Sequence, residues 1–483
     1  MSNDPNPGIL LAVTPILVLV ASLAAAVALF GDGTTGGPGQ IALMTAGIIA
    51  GLIGVRFGNE WPELEKAAAQ SISRALPAIF ILLMVGTLVG VWMLSGTVPF
   101  LIYWGLAVIA PEIFYAATLV ICSVVALSIG SSWTTAGTVG VALIGIAAAA
   151  GLSVEITAGA IISGAYFGDK ASPLSDSTNL AAAVSETELF DHIRFLLWTT
   201  VPAIVIAFVF FLGMSLAGSA EMDQERIRAI STAIEEGYSL SPWAVVPALV
   251  TLTMAVLRQP AFLSLLGGIL AAVLIALLLE SNLFPEDGLV AGLRHIWEVM
   301  ATGYVSNTGY EPLDNLLSRG GMESMLGTVW LILSAMFFGG MMEKSGSLAV
   351  IVSFLLKGVD SGAALMRRAG LTALSSNLIA SDQYLSIVLP AQMYRDEFRE
   401  QRLTSRNLSR VLEDYGTTTS VLVPWNTCGA FMAATLGVGT LAYLPYCVFN
   451  FVGPIISHAY TLANFKVESM DEAEALAAGA VRD

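Results

Sequence analysis

The 483-residue chain is poor in charge. Lys, Arg, Asp and Glu together make up 12% of it, about half the ~25% of an ordinary soluble domain. That shortage excludes a water-soluble globule as the main body, because a chain this long would need a charged surface. Cysteine is scarce as well. Cys122, Cys428 and Cys447 all lie in apolar segments without CxxC spacing, which excludes a disulfide framework or a zinc site. The three histidines, His192, His295 and His458, match no metal spacing either. From Ala75 to Asp169 there is no Lys or Arg, and between Ile113 and Val154 no Asp or Glu. Such stretches belong in lipid, where a charge at mid-depth costs roughly 2.5–3.5 kcal/mol. Basic residues are outnumbered, 21 against 37, for a net charge of −16. A nucleic-acid partner is excluded on that balance, since phosphate binding needs basic surface.

What is present is apolar. AVILMFWYC residues make up 56% and the mean hydropathy is +0.77. The chain reads as an all-α polytopic membrane protein whose first partner is the lipid bilayer. Residues 1–8 carry no Lys or Arg, and 9–30 is too long for a cleaved signal, so 9–30 is expected to be the first membrane helix. Long apolar segments recur at 39–56, 76–95, 196–218, 243–257, 260–280, 324–342 and 441–462. Shorter or interrupted ones lie at 97–110, 113–150, 153–185, 289–306, 347–359, 362–394 and 411–438. The interrupted group is the informative one. Polar backbone at membrane depth survives only where protein or a watery cavity satisfies it.

The chain also divides into two similar halves. Displaced by 250 residues, Pro62 falls on Pro312, Gly90 on Gly340, Ser95 on Ser345, and Ser131 on Ser381. Asp176-Ser177 falls on Asn426-Thr427, and 9–30 on 260–280. The expected division is 1–218 as a first repeat, 219–258 as connector, 259–466 as a second repeat and 467–483 as a cytoplasmic tail. The segment after 362–394 holds Arg395, Arg399, Arg402, Arg406 and Arg410, while its counterpart near 145–155 holds no basic residue. By the positive-inside rule these loops face opposite sides. The repeats are therefore expected to be inverted, a common transporter plan. With 113–150 and 362–394 as re-entrant hairpins, about 11–13 spans result, with the amino terminus outside and the carboxyl terminus inside. Arg56, Lys66 and Arg74 oppose that orientation, offset by Glu60, Glu63 and Glu65.

The strongest chemical signal is Gly168-Asp169-Lys170-Ala171-Ser172-Pro173-Leu174-Ser175-Asp176-Ser177-Thr178-Asn179. Pro173 lacks an N–H and disfavours helix at Ser172, so a break is expected. Broken helices expose oxygen ligands suited to a hard cation. The competing view is a polar loop outside the membrane. The matching segment, Glu413-Asp414-Tyr415-Gly416-Thr417-Thr418-Thr419-Ser420, leads through Pro424 to Asn426. There the competing view is that the Thr hydroxyls bond back to helix carbonyls. The two hairpin tips offer Ser131 and Ser132 in one, and Ser381, Asp382 and Gln383 in the other. Helix N-caps at Ser131 and Ser381, and a surface turn at Asp382, are the plain alternatives. A carboxylate in a partly dry pocket can hold H⁺ or a metal cation, though not both comfortably. Such competition suffices to couple opposite fluxes. Lys170, beside Asp169, is expected either to neutralise a carboxylate when no cation is bound or to bind an organic carboxylate, with a surface ion pair to Asp169 as the plain alternative. The candidate Na⁺ ligands are Asp176 and Asp382, with Ser172, Thr178, Asn179 and Asn426 supplying neutral oxygens. The glycine-rich stretch 31–39 is expected to be a flexible turn, 221–236 a solvated helix or loop, and 467–483 a loose tail. No triad spacing or metal motif supports an enzyme.

Three blocks carry a family resemblance: GDKASPLSDSTNLAAAV (168–184) with its continuation 186–203, SDQYLSIVLPAQMY (381–394) and EDYGTTTSVLVPWNTCGAFMAATLGV (413–438). They resemble the NhaC family of Na⁺/H⁺ antiporters over most of the chain, from about Pro62 to Gly453. The resemblance implies inverted repeats, re-entrant hairpins and unwound helices, a homodimer, a prokaryotic cell membrane, and Na⁺ and H⁺ as transported ions with no cofactor. It places Asp169, Ser172, Asp176, Thr178 and Asn179 on one side of a site, and Asp382, Gln383, Asp414, Thr418 and Asn426 on the other. Relatives of the family resemble Na⁺-coupled exchangers of malate, lactate or amino acids, so a small organic anion stands as the alternative cargo.

Overall fold

A computed structural model describes residues 7–30, 37–108, 110–218, 224–279, 289–356 and 361–470. Most of the glycine-rich turn (31–36), the start of the 221–236 stretch (221–223) and the tail from 471 onward lie outside the described residues. The first series of helices runs α1 Ile9–Phe30, α2 Pro38–Arg56, α3 Trp61–Leu94, α4 Thr97–Val108, α5 Phe114–Ile129, α6 Ser132–Thr135, α7 Val141–Ala150, α8 Val154–Ala171, α9 Asp176–Val184 and α10 Leu189–Gly218. Two helices follow, α11 Gln224–Gly237 and α12 Val246–Val256. A second series runs α13 Ala261–Leu279, α14 Leu289–Thr302, α15 Glu311–Leu317, α16 Leu326–Lys344, α17 Ser347–Leu356, α18 Gly362–Ile379, α19 Gln383–Glu400, α20 Ser405–Val411, α21 Thr418–Ser420, α22 Thr427–Leu436, α23 Thr440–Tyr443 and α24 Val448–Leu462. Among the described residues the only β feature is the isolated bridge Leu403–Ser469.

The two series share their punctuation. α3 and α16 end at Leu94 and Lys344, and α5 and α18 at Ile129 and Ile379. Behind α3 the Ser95 hydroxyl meets Thr97 Oγ1 at 2.9 Å, and behind α16 the Ser345 hydroxyl meets Ser347 Oγ at 2.9 Å. Each series also holds a π-helical turn, Ala136–Gly140 in the first and Leu412–Thr417 in the second. Such turns break the regular hydrogen-bond ladder and are frequent at functional sites.

Among the described residues, seven helices are long and apolar enough to cross a membrane, or up to nine if two bent pairs each count as a span. This is a multi-pass membrane protein with fewer candidate spans than the 11–13 expected from sequence. The shortfall has a physical cause. α8 and α18 each have 18 residues, but α8 carries Glu155, Asp169 and Lys170, and α18 carries Arg367 and Arg368. The pair 427–436 and 440–446 bends by 90°. The outer surface is apolar, with Leu10, Val290 and Trp297 exposed, while polar groups such as Lys170, Arg410 and Asp414 are fully buried. That distribution suits a lipid exterior. α11 is not simply solvated: it buries Ile230 and Ile234 and holds Tyr103 of α4, whose hydroxyl donates to Glu235 at 2.6 Å.

Close approach of α8 to α5 positions the centre of the molecule. Gly164 and Gly168 lie one turn apart on α8, and a Cβ on Gly168 would stand 2.3 Å from the Leu127 nitrogen. Small residues spaced this way let two membrane helices touch at backbone distance. The result brings the carboxyl end of α8, with Asp169, against the tip that follows α5.

The five-arginine segment is clasped by acids of the first series. Arg395 Nη1 lies 2.8 Å from Glu186, Arg399 pairs with the same carboxylate, and Arg406 lies 2.8 Å from Asp191. Arg410 is buried, donates to the Lys466 carbonyl at 3.0 Å and covers the Phe195 ring.

Candidate functional site

Four chain breaks converge on one cavity. α5 ends at Gly130, which adopts φ 75°, a left-handed conformation that glycine enters freely. The chain then turns and Ser131 caps α6, accepting from the Thr134 N–H at 3.2 Å. In the second series Asp382 takes the capping role for α19, accepting from the Leu385 N–H at 3.0 Å, while Ser381 sits at φ 58°. α8 stops before Pro173, and Ser175 caps α9. The fourth break, between α21 and α22, is closed by Asn426, whose side chain accepts from the Cys428 N–H at 3.0 Å.

The cavity between these ends has a volume of about 320 Å³, and its wall includes Ser131, Ser132, Asp169, Asp176, Asp382 and Gln383. That volume far exceeds the ~30 Å³ share of one water. The three carboxylates differ in their settings. Asp169 is held by hydroxyls: Ser175 Oγ donates to Oδ1 at 2.5 Å and Ser132 Oγ to Oδ2 at 2.6 Å. Asp176 is exposed and opens α9, where the positive end of the helix dipole favours a negative charge. Asp382 is buried and spends one oxygen on its cap. Arg74 reaches the same wall but is ion-paired with Glu343 at 3.0 Å.

A dry layer lies behind the cavity. Lys170 Nζ stands 2.5 Å from Asp414 Oδ1, both side chains being fully buried. Thr199 Oγ1 donates to the same oxygen at 2.8 Å. Lys170 therefore neutralises Asp414 of the second series, not its sequence neighbour Asp169. His192 is buried nearby, with Nδ1 2.8 Å from Ser409 Oγ. Glu413 is fully buried as well, with the hydroxyls of Thr417 and Thr178 beside it.

Apart from Gln383, the remaining sequence candidates stand outside the cavity wall. Ser172 Oγ donates to the Leu127 carbonyl at 2.9 Å and so ties the α8 break to α5. Thr178 Oγ1 donates to the Lys170 carbonyl at 3.1 Å. Asn179 donates to the Pro173 and Ser175 carbonyls at 2.9 and 2.7 Å. Thr418 bonds back to the Asp414 carbonyl, the arrangement weighed as the plain alternative for that run. Asn426 Nδ2 donates to Asn377 Oδ1 at 3.1 Å. Gln383 lies on the wall and accepts from Ser420 at 3.1 Å and from Cys428 at 2.9 Å. The wall also includes Trp133, Ser177, Tyr384, Thr427 and Cys428, none of them put forward as a ligand from sequence. Trp133 stacks on Phe431 with centroids 4.0 Å apart, which joins the first tip to α22. Ser177 lies inside the 168–179 motif and Thr427 is its match at the 250-residue offset, so both were within reach of the motif logic. Among the described residues no group of His, Cys, Asp and Glu is arranged to hold a metal ion as a resident ligand set.

Broken helices whose ends surround one acidic cavity, inside a multi-pass helical body, define the class of a membrane carrier. Residues 164–465, more than half of the chain, match the Na⁺/H⁺ antiporter family. A Na⁺/H⁺ antiporter NhaC from Alkalihalophilus pseudofirmus is 38% identical over 420 residues, covering 86% of this chain and 88% of its own. An arginine/ornithine antiporter from Halobacterium salinarum is 35% identical over 477 residues, covering 98% and 95%. A malate-2H⁺/Na⁺-lactate antiporter from Bacillus subtilis is 36% identical over 427 residues, covering 88% and 89%. The chain belongs to the Na⁺/H⁺ antiporter family.

Proposed function

We propose that the protein is a secondary antiporter that exchanges Na⁺ for H⁺ at this cavity by alternating access. One observation carries the reading: Asp169, Asp176 and Asp382, drawn from both series, face one cavity. Asp176 is the group that holds cation and proton in turn. It is exposed and opens α9 on the cavity wall. Asp382 approaches from the opposite hairpin tip as the second cation ligand. Asp169, already satisfied by two hydroxyls, sets the negative field of the wall.

The proposed direction of exchange is Na⁺ outward against H⁺ inward. The two series serve as inverted repeats that rock about the cavity, a view supported by their shared end points and the one-sided arginine segment. The divisions 1–218, 219–258, 259–466 and 467–483, a carboxyl terminus in the cytoplasm, a cell-membrane location and a homodimer belong to the same proposal. It requires no cofactor and no enzymatic step.

An organic cation is the second reading, favoured by the cavity volume and by its acidic wall. An organic anion has less support. Lys170, the cation that would receive it, is committed to Asp414 behind the wall, and Arg74 is committed to Glu343.

The test is dye-monitored proton flux in proteoliposomes on addition of Na⁺. Na⁺-dependent flux is expected, and Asp176→Asn should abolish it without loss of folded protein. A wild-type protein that moves no protons with Na⁺ over a broad pH range, but counterflows labelled arginine, would replace the first reading with the second.

A further inference from the structure

We propose that Glu413 is a second proton-carrying carboxyl, one layer behind the cavity, which loads and unloads in the same cycle as the cargo. The proposal rests on the exchange reading for its cargo and adds a residue and a stoichiometry to it. Glu413 sits in the π-helical turn Leu412–Thr417. It is fully buried, and neither carboxyl oxygen accepts a hydrogen bond in good geometry. The Thr417 hydroxyl beside it and the second oxygen of Asp414, Oδ2, are likewise buried without a partner. The cavity mechanism uses none of these atoms.

Charge balance decides the state of Glu413. Lys170 and Asp414 cancel at 2.5 Å. An ionised Glu413 would add an unmatched charge to a dry interior, which strongly disfavours it. A bound proton removes that charge. The surrounding elements supply no other neutralising partner at the carboxyl. α8 brings Lys170 and Asp169 into its field, and α9 brings the Thr178 hydroxyl. α10 sends His192 toward the Lys170–Asp414 pair. α18 and α19 present Asn377, on the Gly416 carbonyl at 2.6 Å, and Ser386 beside Gly416, both uncharged. α24 brings His458 only to Tyr415, at 3.3 Å. Arg410 donates through Nη1 to the Lys466 carbonyl and covers the Phe195 ring, its Nε and Nη2 being buried without a partner.

The position also gives the sign of coupling. The Thr178 hydroxyl beside Glu413 donates to the Asp169 carbonyl at 3.2 Å, and the Asp169 carboxylate lines the cavity. An added positive charge at the cavity favours the ionised form of a nearby acid. Cation entry therefore expels the Glu413 proton, and cation departure draws one back. The proton moves opposite to the cation, through the layer that α8 and the π-helical turn share.

The test is the H⁺-to-Na⁺ ratio, read from reversal potentials in proteoliposomes. The wild type should move more than one H⁺ per Na⁺. Glu413→Gln should keep Na⁺-dependent flux but lose one H⁺ per cycle, and Glu413→Asp should keep the wild-type ratio. A wild-type ratio of one, or an unchanged ratio in Glu413→Gln, overturns the proposal. If Glu413→Gln does not accumulate, infrared spectroscopy of the wild type and Glu413→Asp decides. A buried carboxylic-acid carbonyl band should vanish on cation addition and shift in the Asp variant, and its absence overturns the proposal. That measurement needs no transport. Absence of Na⁺-dependent flux in the wild type would instead count against the exchange reading.

Discussion

The cavity and the layer behind it hold the same chemistry under different rules. On the cavity wall, these carboxylates have no ammonium partner: Asp176 is exposed, and the buried Asp169 is met by neutral hydroxyls. Off the cavity wall, the fully buried Asp414 is met by an ammonium, with a second donor from Thr199. Water makes the difference. Where solvent reaches, a charge needs no partner and stays available to a passing ion. Where solvent does not reach, an unmatched charge is penalised and the fold must supply the partner itself. Adjacent residues in sequence, Asp169 and Lys170, therefore belong to different environments, facing the first tip and the second series respectively.

The sharpest way to break this contrast is to remove the ammonium. Lys170→Met should cost about 3–5 kcal/mol of stability, because it strands the buried Asp414 carboxylate. The double variant Lys170→Met with Asp414→Leu should recover most of that loss. Thermal unfolding in detergent checks both, and a small effect of the single variant would mean that water reaches the layer. A smaller effect is expected on the wet side. Ser175→Ala removes a hydrogen bond to the Asp169 carboxylate and the cap of α9, at a cost of about 1.5–3 kcal/mol. The same scan reads it, and the Lys170 variant should remain the more damaging of the two.

The smallest effect is local and lies outside the membrane-spanning helices, at Asp314 of α15. Burial works against its charge, but hydrogen bonds from Thr308, Ser306 and the Gly309 N–H outweigh it and hold this carboxyl below the ordinary carboxylate range. A lowered folded-state value contributes stability above the unfolded value near ~3.9, and loses it as pH falls through the folded value. Hydrogen exchange at the Thr308 and Gly309 amides, which lie 2.7 and 3.1 Å from that carboxylate, should accelerate only in that acid window. Exchange that rises already at neutral pH would show that the loop is held by something other than Asp314.

Much of the site was legible because a charge or a proline inside an apolar run is conspicuous. Asp169, Asp176 and Asp382 stand out in this way, and so does the break at Pro173. Oxygen-bearing side chains were harder to sort. Ser131, Ser132, Ser172, Thr178 and Thr418 look alike in sequence, yet only the first two reach the wall. The other three spend their hydroxyls on main-chain carbonyls. Which carbonyl is free at a break depends on the path of a neighbouring helix. Trp133 and Cys428 gave no signal, because an aromatic or a thiol in an apolar segment reads as core.

By itself the sequence determined the class of protein, the places where helices must break and the residues that carry charge into the membrane. Hydropathy and proline act locally, so they are visible in one dimension. Only the tertiary structure decided how the charges are shared. Lys170 and Asp414 lie 244 positions apart and meet at 2.5 Å, whereas Lys170 and Asp169 are neighbours in sequence. Adjacent residues on a helix point in different directions, and it is packing against other helices that decides which of them stays wet.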